Sequence, residues 1–285
     1  MKVLITGSYG QLGNELKRIL EKRSDIQAFF TDVDTLDICN YHAVKHFFTE
    51  HKPNFVINCA AYTAVDKAEN EVELCYKINS NAVRTLAIIA DRYRAKIVHI
   101  STDYVFDGTT NKPYKETFTA RAKSVYGKSK LLGEKFLNRH AKNSSVIIRT
   151  SWLYSAFGNN FVKTMLKAGK DKKRVSVVFD QTGTPTNAAD LAAAIVSIID
   201  SKRFAAGIYH FSNEGVCSWY DFAKAIFEIK NIDCKVLPVE SEQYPVIAQR
   251  PAYSVLNKQK IKDTYGIQIL HWRESLSKYL IENFD

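Results

Sequence analysis

The chain opens with a β-branched strand, Lys2-Val3-Leu4-Ile5-Thr6, that runs into Gly7-Ser8-Tyr9-Gly10-Gln11-Leu12-Gly13 and then into the helical periodicity of Glu15-Leu16-Lys17-Arg18-Ile19-Leu20. A strand, a glycine-rich turn and a helix in that order commit a chain to a narrow set of folds. The glycines let the backbone turn sharply and approach a pyrophosphate, whose charge then rests on the amides and positive dipole end of the new helix. The spacing here is G-x-x-G-x-x-G rather than G-x-G-x-x-G. Such a turn can be purely structural, but its place between the first strand and the first helix favours a dinucleotide.

Strand-like and helical segments alternate from there to about residue 150. Ile26 to Thr31 and Phe55-Val56-Ile57-Asn58-Cys59 read as strands, Ala82 to Arg94 as a helix, and Lys96 to Ile100 and Val146 to Arg149 as further strands. This alternation implies right-handed βαβ units and an α/β fold: a Rossmann-type, doubly wound parallel sheet whose ligands gather at the carboxyl ends of the strands. Asp32, Ala60, Thr102 and Thr150 fall at such ends. A carboxylate at Asp32 accepts hydrogen bonds from an adenosine ribose and repels a 2′-phosphate, and no arginine stands beside it, so NADH is the expected cofactor. After residue 150 the pattern breaks into aromatic, Gly- and Asn-rich loops (Trp152 to Phe161), a turn at Pro185 and shorter elements. The expected division is a nucleotide-binding domain over 1–150 and a mainly substrate-binding region over 151–285, with some segments returning to the sheet.

A chain of 285 residues with 46% apolar content is long enough for one large or two unequal domains. No apolar run approaches the roughly 20 residues of a membrane span, and the N-terminus lacks the charged n-region of a signal peptide. Five scattered cysteines without a C-x-x-C pair suit reduced thiols in the cytoplasm. The net charge of +10 suggests an anionic partner. Its densest run, Lys170 to Arg174, reads as a solvated turn, so a phosphorylated small substrate is expected and neither nucleic acid nor membrane.

The chemistry concentrates at Tyr126-Gly127-Lys128-Ser129-Lys130, with Ser101-Thr102-Asp103-Tyr104 upstream. Residues four apart on a helix project from nearly the same face. An ammonium beside a phenol lowers the phenol pKa from its usual value of roughly 10, and such a tyrosine exchanges a proton with an alcohol or carbonyl near neutral pH. Tyr41…Lys45 and Tyr220…Lys224 share the spacing, but only Tyr126 and Lys130 have a hydroxyl donor at a strand end before them. His42 and His46 have the spacing of a metal-binding helix, with His51 near. No glutamate follows His42, and their helix is expected after the third strand, away from the chemistry; a solvated helix face is the better reading, and no metal ligands are assigned. Trp152 reads as a sugar-stacking residue because it lies just past a strand end, although tryptophan is ordinarily core.

These motifs resemble those of the extended short-chain dehydrogenases/reductases, and within them the dTDP-4-dehydrorhamnose reductases. The resemblance runs essentially end to end. Its carriers include Gly7 to Gly13, Leu36-Asp37-Ile38, Asn58 to Glu69, Ser101 to Gly108, Tyr126 to Lys130, Arg149 to Tyr154, Gly158 to Phe161, Asp180-Gln181, Pro185-Thr186 and Arg250-Pro251. Ala64-Val65-Asp66-Lys67-Ala68-Glu69 and Arg149-Thr150-Ser151-Trp152 are distinctive of that branch. The resemblance implies reduction of the C4 keto group of a dTDP-linked 4-keto-6-deoxy sugar, dTDP-4-dehydro-L-rhamnose, with NADH used and NADPH also accepted. It implies that Gly10, Gln11 and Leu12 line the pyrophosphate, Asp32 the ribose, Asp37 and Ile38 the adenine, and Ala61, Tyr62 and Thr63 the cofactor's middle, with Gly7 and Gly13 also binding the cofactor. Tyr126, Lys130 and Thr102 would be catalytic, and Asn79 would steady a water chain to the lysine. Thr102, Asp103 and Trp152 would contact the sugar, and Arg250 the phosphates. Some relatives form a magnesium-bridged homodimer through glutamates; Glu15 is present, but the second position reads Ala189-Asp190, which leaves magnesium open. A 4-ketoreductase making the C4 epimer (a 6-deoxytalose) and an NAD-dependent nucleotide-sugar epimerase share the motifs. A dehydratase is disfavoured because Tyr104 follows Asp103, and a non-enzymatic descendant because the tyrosine and lysine are both present.

Overall fold

The computed structural model describes residues 1–244 and 246–284. Strand β1 (Lys2–Thr6) is followed by α1 (Gln11–Leu20), β2 (Gln27–Thr31), α2 (Tyr41–His51) and β3 (Phe55–Asn58). Two short helices, α3 (Val65–Ala68) and α4 (Val72–Tyr76), lead through a π-helical turn over Lys77–Asn81 into α5 (Ala82–Arg92). Then come β4 (Lys96–Thr102), α6 (Val125–His140) and β5 (Ser145–Thr150). Beyond lie β6 (Leu153–Tyr154), α7 (Phe161–Asp171), β7 (Arg174–Val178), β8 (Thr182–Gly183), β9 (Thr186–Asn187), α8 (Ala188–Asp200) and β10 (Gly207–His210). The chain closes with β11 (Cys217–Ser218), α9 (Trp219–Ile229), β12 (Lys235–Val239), α10 (Gln259–Tyr265) and α11 (Trp272–Phe284).

Six strands form the central sheet in the order β10-β5-β4-β3-β1-β2, all parallel. β3 and β5 are buried along their whole length, as strands covered on both faces must be. The period-2 alternation divides each strand between two cores. Val3, Ile5, Ile57, Val98 and Val146 pack with α1 and α8 through Leu16, Leu20, Leu191 and Ile195. Leu4, Val56, Ile97 and Ile147 pack on the opposite face with Val44 and Phe48 of α2 and Leu86 and Ile89 of α5. A third apolar cluster, built on α7, α9 and α11 around Phe222, Phe227 and Leu276, carries the paired β7 and β12. Residues beyond Thr150 also return to the sheet: α8 covers it, and Gly207–His210 pair with Val146–Arg149.

The chain leaves β1 for β2 on one side and returns to β3 on the other, which opens a crevice at the carboxyl ends of β1 and β3. Gly7 turns there with φ 65°, and a Cβ on it would come within 2.6 Å of the Ala60 backbone. Only glycine permits both the turn and that approach. Between β2 and α2 the sequence resemblance at Leu36–Ile38 forms no strand. Leu36 N–H donates to Asp32 O at 2.7 Å, so the chain curls into a turn and its apolar side chains plug the core from a loop. The helix carrying His42 and His46 therefore follows the second strand, not a third.

Candidate active site

A cavity of about 610 Å³ opens over the carboxyl ends of the sheet. Gly7, Gly10, Gln11, Leu12 and Gly13 line one end of it, and Thr102, Asp103, Tyr126, Lys130 and Trp152 the other. It continues into a second cavity of about 460 Å³, lined by Asp32, Asp37, Ile38 and Ala61. The two share Gly7, Gly10, Cys59 and Ala61, so one elongated cleft follows the switch point.

The glycine-rich end suits an anion for a reason visible in the helix caps. α2, α6, α7, α8 and α9 begin under side-chain caps from Asn40, Ser124, Asn160, Asn187 and Ser218. α1 begins at Gly10 with no side-chain cap and no acidic residue in its first turn. Its leading N–H groups thus face the cleft without a protein acceptor from a cap, as a pyrophosphate requires. At the far end Asp32 Oδ2 accepts from Tyr9 N–H at 2.9 Å and Oδ1 from Val33 N–H at 2.8 Å, which fixes the carboxylate at the mouth of the adjoining cavity. Lys77 lines that same cavity and places a cation there that the sequence reading did not identify. A dinucleotide fits these residues along the whole length of the cleft.

At the chemical end, α6 starts under the Ser124 cap and under Glu69, whose Oε1 accepts from Val125 N–H at 2.8 Å. This anchors the turn bearing Tyr126. The Tyr126 ring meets Tyr104 edge-on at 5.6 Å. Thr102 Oγ1 donates to Asp103 Oδ1 at 3.1 Å and accepts from Tyr104 N–H at 3.2 Å, so its hydroxyl is held at the end of β4. The expected lowering of the phenol does not occur. Burial raises Tyr126 above its ordinary value, and the Thr102 hydroxyl only partly offsets this. The reason is the direction of Lys130, whose Nζ donates to Ile100 O at 2.6 Å. Lys130 is 2% exposed, and burial pushes its ammonium down to about 8 against the pull of Glu134. Asp103 is 2% exposed and pushed up to about 6, chiefly by burial; its Oδ2 is buried without a hydrogen-bond partner among the described residues, and the residue lines the cleft.

Asn79 and Tyr62 act around the cleft rather than in it. The Asn79 carboxamide closes on the Tyr62 backbone from both sides, accepting from its N–H at 2.9 Å and donating to its O at 3.0 Å, and also donates to Ser129 Oγ at 3.1 Å. Its side chain is therefore engaged by the Ala61–Thr63 loop and by α6, not directed at Lys130. The π-helical turn brings its carbonyl against Gly133 so closely that no side chain fits there. Tyr62 turns its hydroxyl out to Glu71 at 2.7 Å, while Ala61 and Thr63 line the cleft.

Trp152 lies in the cleft wall with φ 48° and is stacked on Trp219 at 3.7 Å. Part of its surface is thus spent on packing. Trp219, absent from the sequence expectation, begins α9 after a Ser218–Asp221 capping box; that box was the one local signal that a helix starts there. Beside the cleft, a cavity of about 310 Å³ is lined by Val65, Tyr104, Phe161, Gln181, Trp219 and Arg250. Arg250 Nη2 donates to Asp66 Oδ2 at 2.7 Å, and Ala248 N–H to Asp66 Oδ1 at 3.1 Å. Tyr41 packs on the α2 side of the sheet and Tyr220 lines a separate surface hollow, so neither companion pair reaches the cleft. His46 and His51 both lie near Glu50, and His51 also packs on Phe29 and Phe47.

A family profile described as RmlD substrate binding domain matches residues 1–284. Spore coat polysaccharide biosynthesis protein SpsK of Bacillus subtilis is 44% identical, over 99% of this chain and 97% of its own length. Among solved structures, a dTDP-4-dehydrorhamnose reductase from Clostridium acetobutylicum aligns with TM-score 0.95 and 48% identity over 99% of both chains. The dTDP-4-dehydrorhamnose reductase of Bacillus anthracis, solved in complex with NADP, aligns with TM-score 0.93 and 42% identity, again over 99% of both.

Proposed function

The chain belongs to the RmlD substrate-binding-domain family, and on that premise we propose that it is an NAD(P)H-dependent oxidoreductase reducing the C4 keto group of dTDP-4-dehydro-L-rhamnose to give dTDP-L-rhamnose. The observation that carries this reading is the convergence of Thr102, Tyr126 and Lys130 at one end of a cleft whose other end is the uncapped start of α1. Reductases of this name align over essentially the whole chain, which supports the same substrate.

A reduced nicotinamide held by these residues would supply a hydride when bound. The protein supplies the proton and the electrostatics. Tyr126 O–H protonates the oxygen that becomes negative at C4, and Thr102 O–H, turning from Asp103 Oδ1, donates a hydrogen bond to it. A phenol raised by burial holds its proton until that oxygen becomes more basic than itself, which favours delivery over premature loss. Lys130 lines the same end of the cleft and would hold the nicotinamide ribose. Asp103 and Trp152 line the sugar end of the cleft, and Arg250 offers its guanidinium to the diphosphate in the adjoining cavity. Asn79 serves by fixing the Ala61–Thr63 loop.

The same reading takes residues 1–150 as the cofactor domain and 151–285 as mainly substrate-binding. NADH is preferred because of Asp32, and NADPH is accepted because Lys77 offsets it. Magnesium is assigned no step: Glu15 pairs with Arg18 at 3.4 Å, and Asp190 Oδ2 holds Asn213 and Ser275. A homodimer working in the cytoplasm completes the proposal; the five unpaired cysteines fit a reducing compartment. The test is to give the purified protein NADH and dTDP-4-dehydro-L-rhamnose and follow absorbance and product NMR. Net NADH oxidation with the rhamno product is expected. A talo product would move the chain to the sister reductase, and interconversion without net oxidation would make it an epimerase.

A further inference from the structure

Thr6, Asn58 and His99 are register partners on β1, β3 and β4, so their side chains leave the same face of the sheet in a row. One step back on that face the strands present Leu4, Val56 and Ile97, which are core. The row is polar only at the level where Lys130 arrives from α6. All four members are interior: Thr6 and Asn58 are 1% exposed, His99 0% and Lys130 2%. A buried polar row is costly unless its members satisfy one another, and here they do. Thr6 Oγ1 donates to Asn58 Oδ1 at 2.7 Å, Asn58 Nδ2 lies 3.0 Å from His99 Nδ1, and His99 Nε2 lies 3.5 Å from Lys130 Nζ.

We propose that His99 is a positioning residue for Lys130: its Nε2 is an acceptor for the ammonium, and Asn58 and Thr6 hold the ring in the tautomer that makes it one. An ammonium has three protons to place and no lone pair. Ile100 O takes one at 2.6 Å, His99 Nε2 faces the second, and Lys130 also borders the cleft, where the third points to ligand. The other titratable groups around Nζ do not replace the imidazole. Glu134, one turn along α6, is already gripped by Arg149 at 2.9 and 2.6 Å and by Ser101 at 2.5 Å. Burial holds the Cys59 and Cys75 thiols above their ordinary values, so they are neutral, and Tyr126 keeps its proton.

The hydrogens then follow. With Nε2 claimed by Lys130, the ring proton sits on Nδ1. In the structure the Asn58 oxygen accepts from Thr6 Oγ1 and its Nδ2 faces His99 Nδ1. The two ends of a carboxamide have nearly the same outline, and this tautomer requires it turned over, with its oxygen on the Nδ1 proton and its NH₂ donating to Thr6 Oγ1. The opposite tautomer would set an N–H against an ammonium. A charged ring is disfavoured too, since burial and Lys130 both hold His99 well below its ordinary range.

This inference takes its importance from the reductase reading, but its test reads tautomer and cofactor binding, so loss of turnover on the keto sugar would sink that reading and leave this one standing. In ¹⁵N NMR of the wild-type protein at pH 7, His99 should appear neutral with its proton on Nδ1; a proton on Nε2 overturns the proposal. NADH affinity, followed by fluorescence from pH 6 to 9.5, should weaken as pH rises through about 8 in the wild type, and be flat in Lys130→Met. His99→Leu should move the midpoint down by about one pH unit, a roughly tenfold change in the acid constant, and His99→Gln, which restores an acceptor, should bring most of it back. A His99→Leu midpoint equal to the wild type, or a glutamine no better than leucine, overturns it. Should His99→Leu fail to fold, the wild-type tautomer and His99→Gln decide.

Discussion

Lys130 Nζ and the Ile100 carbonyl are joined by a 2.6 Å hydrogen bond between α6 and the strand that ends at Thr102. This bond ties the lysine to the element that presents the Thr102 hydroxyl, so the spacing of hydroxyl donor and cation is set by the sheet and not by the helix alone. It also explains why sharing a helix face with Lys130 does not acidify Tyr126. The ammonium spends its field on a backbone carbonyl in the interior, and burial prevails at the phenol.

Loss of the proton donor should be severe and local. Tyr126→Phe is expected to lower kcat by about 100-fold or more with NADH affinity almost unchanged. Tyr220→Phe, in a distant hollow, should leave turnover intact. Comparable losses in both variants, or retained turnover in the first, would remove Tyr126 from the role.

Cofactor choice should respond to two side chains of one cavity. Asp32→Ala should narrow the preference for NADH by about 1–3 kcal/mol, by removing repulsion of a 2′-phosphate. Lys77→Ala should weaken NADPH more than NADH, because only the former carries the extra phosphate toward it. Dissociation constants for both cofactors decide. A wild type that binds NADPH more tightly would overturn the role given to Asp32.

Asp103 gives a pH signature in stability. Its folded-state carboxyl is pushed up to about 6, above its unfolded value, so its stabilising protonation is complete below the unfolded pKa and is lost as pH rises through about 6. Asp103→Asn, which never ionises, should therefore gain on the wild type between pH 4.5 and 7.5. At about 1.4 kcal/mol per unit, the roughly 1.5 units between pH 4.5 and about 6 are worth about 2 kcal/mol over this window. Denaturant melts at the two pH values check this, and a difference independent of pH would contradict it.

Nucleotide-sugar binding should depend on the Asp66–Arg250 pair. The guanidinium is partly exposed beside the 310 Å³ cavity. Arg250→Gln is expected to raise KM for the keto sugar about tenfold, the loss of one charge-assisted hydrogen bond, with kcat changed much less. Asp66→Asn should have a smaller effect of the same kind by loosening Ala248 and Arg250 together. An unchanged KM in Arg250→Gln would place the diphosphate elsewhere.

The stacked indoles predict a split outcome at Trp152. Trp152→Ala should raise KM more than it lowers kcat if the ring binds ground state and transition state alike. Because Trp219 loses its 3.7 Å partner, the midpoint of thermal unfolding should also fall. A fall in kcat at constant KM would mean that the ring orients the keto carbon instead.

What the sequence determines here is whatever rests on neighbours in the chain. Glycines between a strand and a helix specify a turn that meets an anion, alternating apolar periods specify a parallel sheet, and a tyrosine and lysine four apart share a helix face. The strand ends at Asp32 and Thr102 were legible for the same reason. Only the tertiary structure decided the rest, because it turns on groups far apart in sequence competing for one another. Whether Lys130 faces a phenol, a carbonyl or the His99 ring depends on the register of three strands; Asn79 is drawn to the Tyr62 backbone by a π-helical turn that no periodicity marks. Trp219 closes on Trp152, and Asp66 on Arg250, across long stretches of chain. Burial, a property of the whole packed molecule, sets the directions in which Tyr126, Lys130 and Asp103 titrate.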